Sequence, residues 1–160
     1  MQDDNNLEVQ VPMEFKNFNQ VFLNSFSRYA ENPAFMFKSG GSYKTISYGD
    51  FKDICFRVAS GLIKRGLEPG DRIAIFSQNR PEWAQADTGA LLAGAISSAI
   101  YASSLPTEAA FIIQNLEATF LFVEDNVQLE KILAIKGKIP SVESVFVFTE
   151  PFSRNDPSWV

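Results

Sequence analysis

Not one of the 160 residues is a histidine. That removes the commonest general base and the commonest metal ligand together, so hydrolase triads and zinc sites are poor readings of this chain. A single cysteine, Cys55, excludes an internal disulfide, and a lone thiol on a helix reads as a small core residue before it reads as a nucleophile. No Gly-x-Gly-x-x-Gly fingerprint occurs, so nothing marks a dinucleotide site. The basic residues do not gather into a stripe, and fourteen Lys and Arg against nineteen Asp and Glu leave a net charge of −5. Nucleic acid is therefore not an expected partner.

Long apolar runs are also missing. The longest uncharged stretch, residues 88–107, has the length of a bilayer span but carries two Gly, four Ser and a Pro, which argues against a membrane helix. The first six residues are polar and acidic where a signal peptide would be basic and then apolar. The expected location is the cytoplasm.

What is present is an alternation of elements. A hydrophobic fraction of 46% with 15 Phe suits a globular domain with a large aromatic core, and a chain of this length buries roughly 70% of its unfolded surface. Residues 15–30 place Phe15, Phe18, Val21, Phe22 and Phe26 at helical spacing before Asn32-Pro33 stops the helix. Two short strands, 34–37 and 45–48, flank Gly40-Gly41 and predict a β-hairpin. Asp50 is then expected to cap a helix whose apolar stripe is Phe51, Ile54, Val58, Leu62 and Ile63, ending at Gly66. A turn at residues 68–71 leads into the strand Ile73-Ala74-Ile75-Phe76.

The junction after that strand, Ser77-Gln78-Asn79-Arg80-Pro81-Glu82-Trp83, is the most informative stretch. Asn79 is expected to cap the next helix, Pro81 suits its opening turn, and Glu82 completes a capping-box-like arrangement. The helix that follows is built of small residues, including Gly89 and Gly94, and must lie close against its neighbours. Strand 96–101 comes next, then a helix over 107–117 with Phe111, Ile112 and Leu116 inward, strand 119–123, helix 127–135 and strand 144–148. Repeated α/β alternation predicts an α/β fold: an open, mostly parallel, doubly wound sheet with helices on both faces.

Four places invite a chemical reading. Ser39 to Thr45, with Gly40, Gly41 and Lys44, has the parts of a phosphate loop, but strand rather than helix follows it, so a hairpin turn is favoured. Asp71 and Arg72, at a strand entrance, read as a solvated turn. Glu124 and Asp125 stand at the C-terminal end of a strand, where open α/β sheets put ligands; they suit a metal, or, in the favoured reading, a cap for the next helix. The loop Tyr101, Ala102, Ser103 and Ser104 also follows a strand's C-terminal end, and its small side chains suit either close approach of a ligand or tight packing on a helix.

Residues 45–51, 67–75, 79–83, 89–95 and 121–125 together resemble, in order and spacing, the opening of an acyl-CoA synthetase of the adenylate-forming, AMP-binding superfamily. The Asn-Arg-Pro-Glu-Trp run and the Phe-Val-Glu-Asp strand end most resemble the long-chain fatty-acid CoA ligases. The resemblance implies a two-step ligation in which a fatty carboxylate attacks ATP to give acyl-adenylate, and CoA then displaces AMP. Because a carboxylate is already anionic, Mg²⁺ and lysine would serve that first step more than a base, which accords with the missing histidine.

The family's phosphate loop and adenylation lysine lie downstream of Val160 in relatives, so the resemblance carries no catalytic residue or metal ligand onto this chain. It implies ATP, Mg²⁺ and CoA as cofactors of a parent enzyme, with fatty acid as substrate. Tyr101, Ala102, Ser103 and Ser104 match in position a segment near the CoA or acyl entrance. Ala99 and Ala102 depart from the family's pattern there, Ala99 standing where Pro is usual and Ala102 replacing a common Pro or Thr.

The expected organisation is a flexible N-terminal segment (1–14), an N-terminal α/β subdomain (15–150) and a truncated tail (151–160), inactive by itself. For the parent, a homodimer and peripheral membrane contact are further expectations. The rival expectation is a free-standing, non-catalytic α/β binding or regulatory module derived from that fold. A receiver-type signalling domain is a third, though its acidic pocket with a well-placed lysine is lacking.

Overall fold

The computed structural model describes residues 15–149, so the expected flexible segment and truncated tail lie outside the described residues. Helix α1 (Phe18–Arg28) begins three residues later than its apolar spacing suggests. Asn17 sets the start, its Oδ1 accepting the Gln20 N–H at 3.0 Å and satisfying one of the free amides of the first turn. Strands β1 (Pro33–Ser39) and β2 (Ser42–Ser47) form the expected antiparallel hairpin. Gly40 and Gly41 at φ +59° and +82° supply the two left-handed residues of its turn. With a strand and no helix N-terminus behind Lys44, this is no phosphate cradle.

Helix α2 (Tyr48–Lys64) corrects one expectation about its cap. The cap is Ser47, and Asp50 is the third helical residue: the Ser47 hydroxyl accepts the Asp50 N–H at 3.0 Å while the Asp50 carboxylate accepts the Ser47 N–H at 3.3 Å. A capping box satisfies two amides reciprocally, which a lone Asp50 cap would not. The hydrogen bond from the Ser47 hydroxyl holds the Asp50 carboxyl below its ordinary value. The buried stripe runs Phe51, Cys55, Ala59 and Leu62, whereas Ile63 is exposed, because it lies about 100° round the helix from Leu62.

Four further strands follow: β3 (Arg72–Phe76), β4 (Ile96–Ile100), β5 (Phe120–Val123) and β6 (Ser144–Val147). They make one parallel sheet in the order β4-β3-β5-β6, with Ile73 paired to Ser97 and Phe120, and Phe120 to Ser144. Helices α3 (Pro81–Leu92), α4 (Pro106–Leu116) and α5 (Asn126–Leu133) form the crossovers. Strand alternation sends Ile73, Ile75, Phe120 and Phe122 to one face under α2 and α3. Ala74, Phe76, Leu121 and Val123 face the other side under α4 and α5. The expected sheet with both faces covered is what forms.

The helix α4 expectation holds for Ile112 and Leu116, which pack half-buried against the core, but not for Phe111, which is 69% exposed; Ala109, Ala110 and Ile113 are the buried residues. Small residues let this helix approach the sheet closely, so the bulky ring goes to the solvent side. The aromatic core is thus a subset of the 15 Phe, with Phe26, Phe51, Phe76, Phe120 and Phe122 buried and Phe18 and Phe111 exposed. None of the helices among the described residues is long and apolar enough to cross a membrane.

Cys55 is fully buried on α2 and free. Burial, with the nearby Asp87 charge adding to it, pushes its thiol up from about 9.0 to about 12. The fold favours the neutral thiol, so its contribution to stability is complete below about pH 9 and is lost as pH rises towards 12. Iodoacetamide at about pH 8 is therefore expected to leave the native protein unlabelled and to alkylate it fully in concentrated urea, since the thiolate is the reactive form. Native labelling at the rate of a free thiol would show that Cys55 is not enclosed as described.

Candidate functional site

The C-terminal ends of β3, β4 and β5 meet at one edge of the sheet, where α/β folds bind ligands. The β3–α3 connection lies at its centre and corrects a second capping expectation. Arg80, not Asn79, takes the cap position, with extended backbone (φ −157°, ψ 162°) and no side-chain capping bond. The Arg80 side chain is occupied elsewhere: Nε donates to Glu82 Oε2 at 2.7 Å, Nη1 lies 3.9 Å from Glu124, and the guanidinium sits 5.9 Å from the Phe148 ring centroid. Glu82 is therefore taken by Arg80 and does not return to the Asn79 amide. Pro81 opens the helix as expected.

The Arg80–Glu82 pair is electrostatically consistent. The hydrogen bond to Glu82 raises the Arg80 pKa further. Partial burial is the largest single influence on Glu82 and opposes its charge, yet the bond from Arg80, a backbone hydrogen bond and the Arg80 charge together outweigh it and hold that carboxyl below its ordinary value. Glu124 also accepts the Gln78 N–H at 2.9 Å, so one carboxylate ties the end of β5 to the end of β3.

Asp125 caps α5, accepting the Val127 and Gln128 N–H groups at 2.8 and 3.3 Å. Both carboxylates at this strand end have backbone duties, in keeping with the capping reading. Among the described residues no group of three or more His, Cys, Asp or Glu is placed to hold a metal ion. At the opposite edge, Asp71 closes the turn by accepting the Glu68 N–H at 2.8 Å, and Arg72 pairs with Glu117 at 2.6 Å with both side chains well exposed.

Ser77, Gln78, Asn79, Tyr101, Ala102 and Ser103 line a groove of about 390 Å³. Asn79 and Arg80 also border a hollow of about 450 Å³ that reaches the hairpin at Phe37, Lys38 and Ser39. Tyr101, Ala102 and Ser103 of the expected loop form one wall of the groove, and Ser104 is not among its lining residues. The loop is turned by the Ser104 N–H donating to the Tyr101 carbonyl at 2.8 Å, and Tyr101 is 83% exposed.

Behind the loop stand two residues that the sequence reading missed. Lys131 Nζ donates to the carbonyls of Ala102 and Ser104, each at 3.0 Å, and lies 5.1 Å from the Phe76 ring centroid. Gln128 Nε2 donates to the Ala102 carbonyl at 3.2 Å, while Gln128 Oε1 is buried without a partner. The only signal in the sequence is their spacing, three apart on one face of α5. The groove offers hydroxyls and side-chain amides, with a lysine ammonium behind its loop wall.

Residues 22–159 match the family model described as AMP-binding enzyme. The chain is 34% identical over 132 residues to the long-chain-fatty-acid CoA ligase ACSBG1 of Rattus norvegicus, covering 82% of this chain and 18% of that protein. It is 30% identical over 139 residues to ACSBG2 of Xenopus laevis, another long-chain-fatty-acid CoA ligase, covering 87% and 19%. The chain thus spans roughly a fifth of the length of these curated relatives.

Two solved structures share the fold. The anthranilate CoA ligase AuaEII in complex with anthranoyl-AMP superposes with a TM-score of 0.74 at 21% identity, covering 86% of this chain and 26% of that one. The inhibitor-bound N-terminal domain of FACL13 from Mycobacterium tuberculosis gives 0.75 at 20% identity, covering 83% and 33%. With a family model spanning most of its length, this chain belongs to the AMP-binding enzyme family.

Proposed function

We propose that this chain is the N-terminal α/β part of an ATP-dependent long-chain fatty-acid CoA ligase, which forms an acyl-adenylate and then acyl-CoA. The observation that carries this reading is the family match over residues 22–159. In it, Tyr101, Ala102 and Ser103 serve as one wall of the CoA or acyl entrance, and Ser104 completes the loop. The groove lies at the strand ends where this fold class binds ligands, and four of its six lining residues carry a hydroxyl or amide other than Tyr101's phenol.

The described residues fit only part of the family's chemistry. ATP would supply the adenylyl group that activates the carboxylate, with pyrophosphate leaving, yet the glycine pair that could approach phosphate sits in a hairpin without a helix behind it. Nor do three or more acidic, His or Cys side chains gather into a metal cage among the described residues. The 160 residues alone are accordingly proposed to be inactive, serving as scaffold and entrance, with the complete protein in the cytoplasm and in peripheral contact with membranes.

The test has two parts. Reading the source DNA beyond the Val160 codon is expected to show a Ser/Thr/Gly-rich loop with lysine and a distal lysine-bearing domain. Fatty-acid-dependent exchange of pyrophosphate into ATP is expected from the complete protein and not from residues 1–160 alone. A stop codon after Val160, or a complete protein without that exchange, would overturn the ligase reading and favour a binding module.

A further inference from the structure

Lys131 is bound in an unusual way for a lysine on a helix. It has no carboxylate within 4.0 Å among the described residues. Its ammonium is held by two backbone carbonyls and an aromatic face. Fixing a long flexible side chain costs rotamer entropy, and a bond from an ammonium to a carbonyl is stronger than one between neutral groups. The two carbonyls belong to Ala102 and Ser104, which flank Ser103 in the chain. Lys131 therefore brackets the exposed apex of the loop from behind, and Gln128 adds a second bond to Ala102.

The loop has little else to hold it. Its one internal backbone bond runs from Ser104 to Tyr101, and Tyr101 and Ser103 are exposed. Both nevertheless line the groove, together with Ala102 and the β3–α3 connection. The shape of that wall thus depends on a helix 27 residues further along the chain.

From this geometry we propose that Lys131 is a positioning residue, a latch on α5 that fixes the Tyr101–Ser104 wall for the incoming CoA. The inference rests on the loop being the entrance of a ligase, as set out above, and adds to it both the residue that shapes the wall and the ligand that uses it. The lining favours CoA over the acyl chain. Ser77, Gln78, Asn79 and Ser103 present hydroxyls and amides, which pair with the amide-bearing arm of CoA and would leave an alkyl chain against unmatched polar groups.

The experiment uses the full-length protein with Lys131→Met and Lys131→Arg. Two readouts are followed: steady-state kinetics with CoA, ATP and fatty acid varied in turn, and hydrogen exchange of the amides of residues 102–105. For Lys131→Met the expected result is a KM for CoA about tenfold higher, the scale of losing charged hydrogen bonds. The kcat and the KM for ATP should stay within about twofold, and the loop amides should exchange about tenfold faster. Lys131→Arg, whose guanidinium can also donate to both carbonyls, should restore most of both effects.

Unchanged exchange in Lys131→Met overturns the latch whatever the kinetics show. Faster exchange with an unchanged KM for CoA overturns its service to CoA, as does a change confined to the KM for fatty acid. Failure of the ligase reading itself would be visible earlier and separately, as absence of CoA-dependent turnover in the unsubstituted protein.

Discussion

Replacing Phe76 by alanine is expected to lower the unfolding free energy by about 3–5 kcal/mol, the range for truncating a fully buried aromatic. That is a large share of the roughly 5–15 kcal/mol available to a domain. Phe76 ends β3, is completely buried and stands in register with Ile100 on β4 and Val123 on β5, so three adjacent strands line the cavity that would be left. Its ring also lies against the Lys131 ammonium, so the vacancy would open beneath the loop as well as within the sheet.

Urea unfolding followed by circular dichroism is the check. The midpoint should fall with little change in slope, because the surface exposed on unfolding is nearly the same. Phe76→Leu, which keeps most of the volume, should cost less than about 1.5 kcal/mol. Phe111→Ser, at a ring 69% exposed, should stay within about 0.5 kcal/mol. A loss below about 1 kcal/mol for Phe76→Ala would contradict the packing on this face of the sheet.

That contrast between two phenylalanines marks the limit of what could be read from the chain. Strands 73–76 and 120–123 are legible because a parallel strand buried on both faces is a continuous apolar run, and the hairpin is legible because two adjacent glycines meet the demands of its turn. Which helical residues turn inward is harder to read. Helix α4 carries apolar residues nearly all round, and the choice of Ala109 and Ala110 over Phe111 depends on how closely the helix approaches the sheet.

The caps failed for a related reason. Side-chain type points to Asp50 and Asn79, whereas the backbone path makes Ser47 and Arg80 the extended residues at the cap positions. One of the two carboxylates beside the Arg80 guanidinium, Glu124, lies 44 residues along the chain by number and adjacent in space. The candidate site divides in the same way: the Tyr101–Ser104 loop is legible from its place after a strand, while Lys131 becomes visible only once α5 is laid behind it.

Gly89→Ala sets two effects against each other. A glycine inside an exposed helix would gain up to about 1 kcal/mol on becoming alanine. Here the new Cβ would lie 2.6 Å from both Cβ and Cγ1 of Val58 and 3.0 Å from the Cys55 carbonyl oxygen. Carbon atoms prefer about 3.5–4.0 Å, the Val58 Cβ is fixed to its backbone, and a β-branched side chain in a helix has one strongly preferred rotamer. Neither neighbour can yield by rotation, so α2 and α3 would have to separate.

Overpacking of this kind costs about 1–3 kcal/mol, and with a contact as short as 2.6 Å we expect it to exceed the propensity gain, leaving a net loss of about 1–2 kcal/mol in the same urea experiment. Adding Val58→Gly to Gly89→Ala moves the small residue from one helix to the other. The pair should be coupled favourably by more than about 0.5 kcal/mol, as residues in contact are. A neutral or stabilising Gly89→Ala would sink the close approach of these helices. Because α3 starts at Pro81, directly after Arg80, a shift of that helix would also draw Arg80 away from Glu124, whose 3.9 Å separation is the longer of the two Arg80 ion pairs. The small-residue helix thus sets the position of the groove's central connection as well as the packing of the sheet.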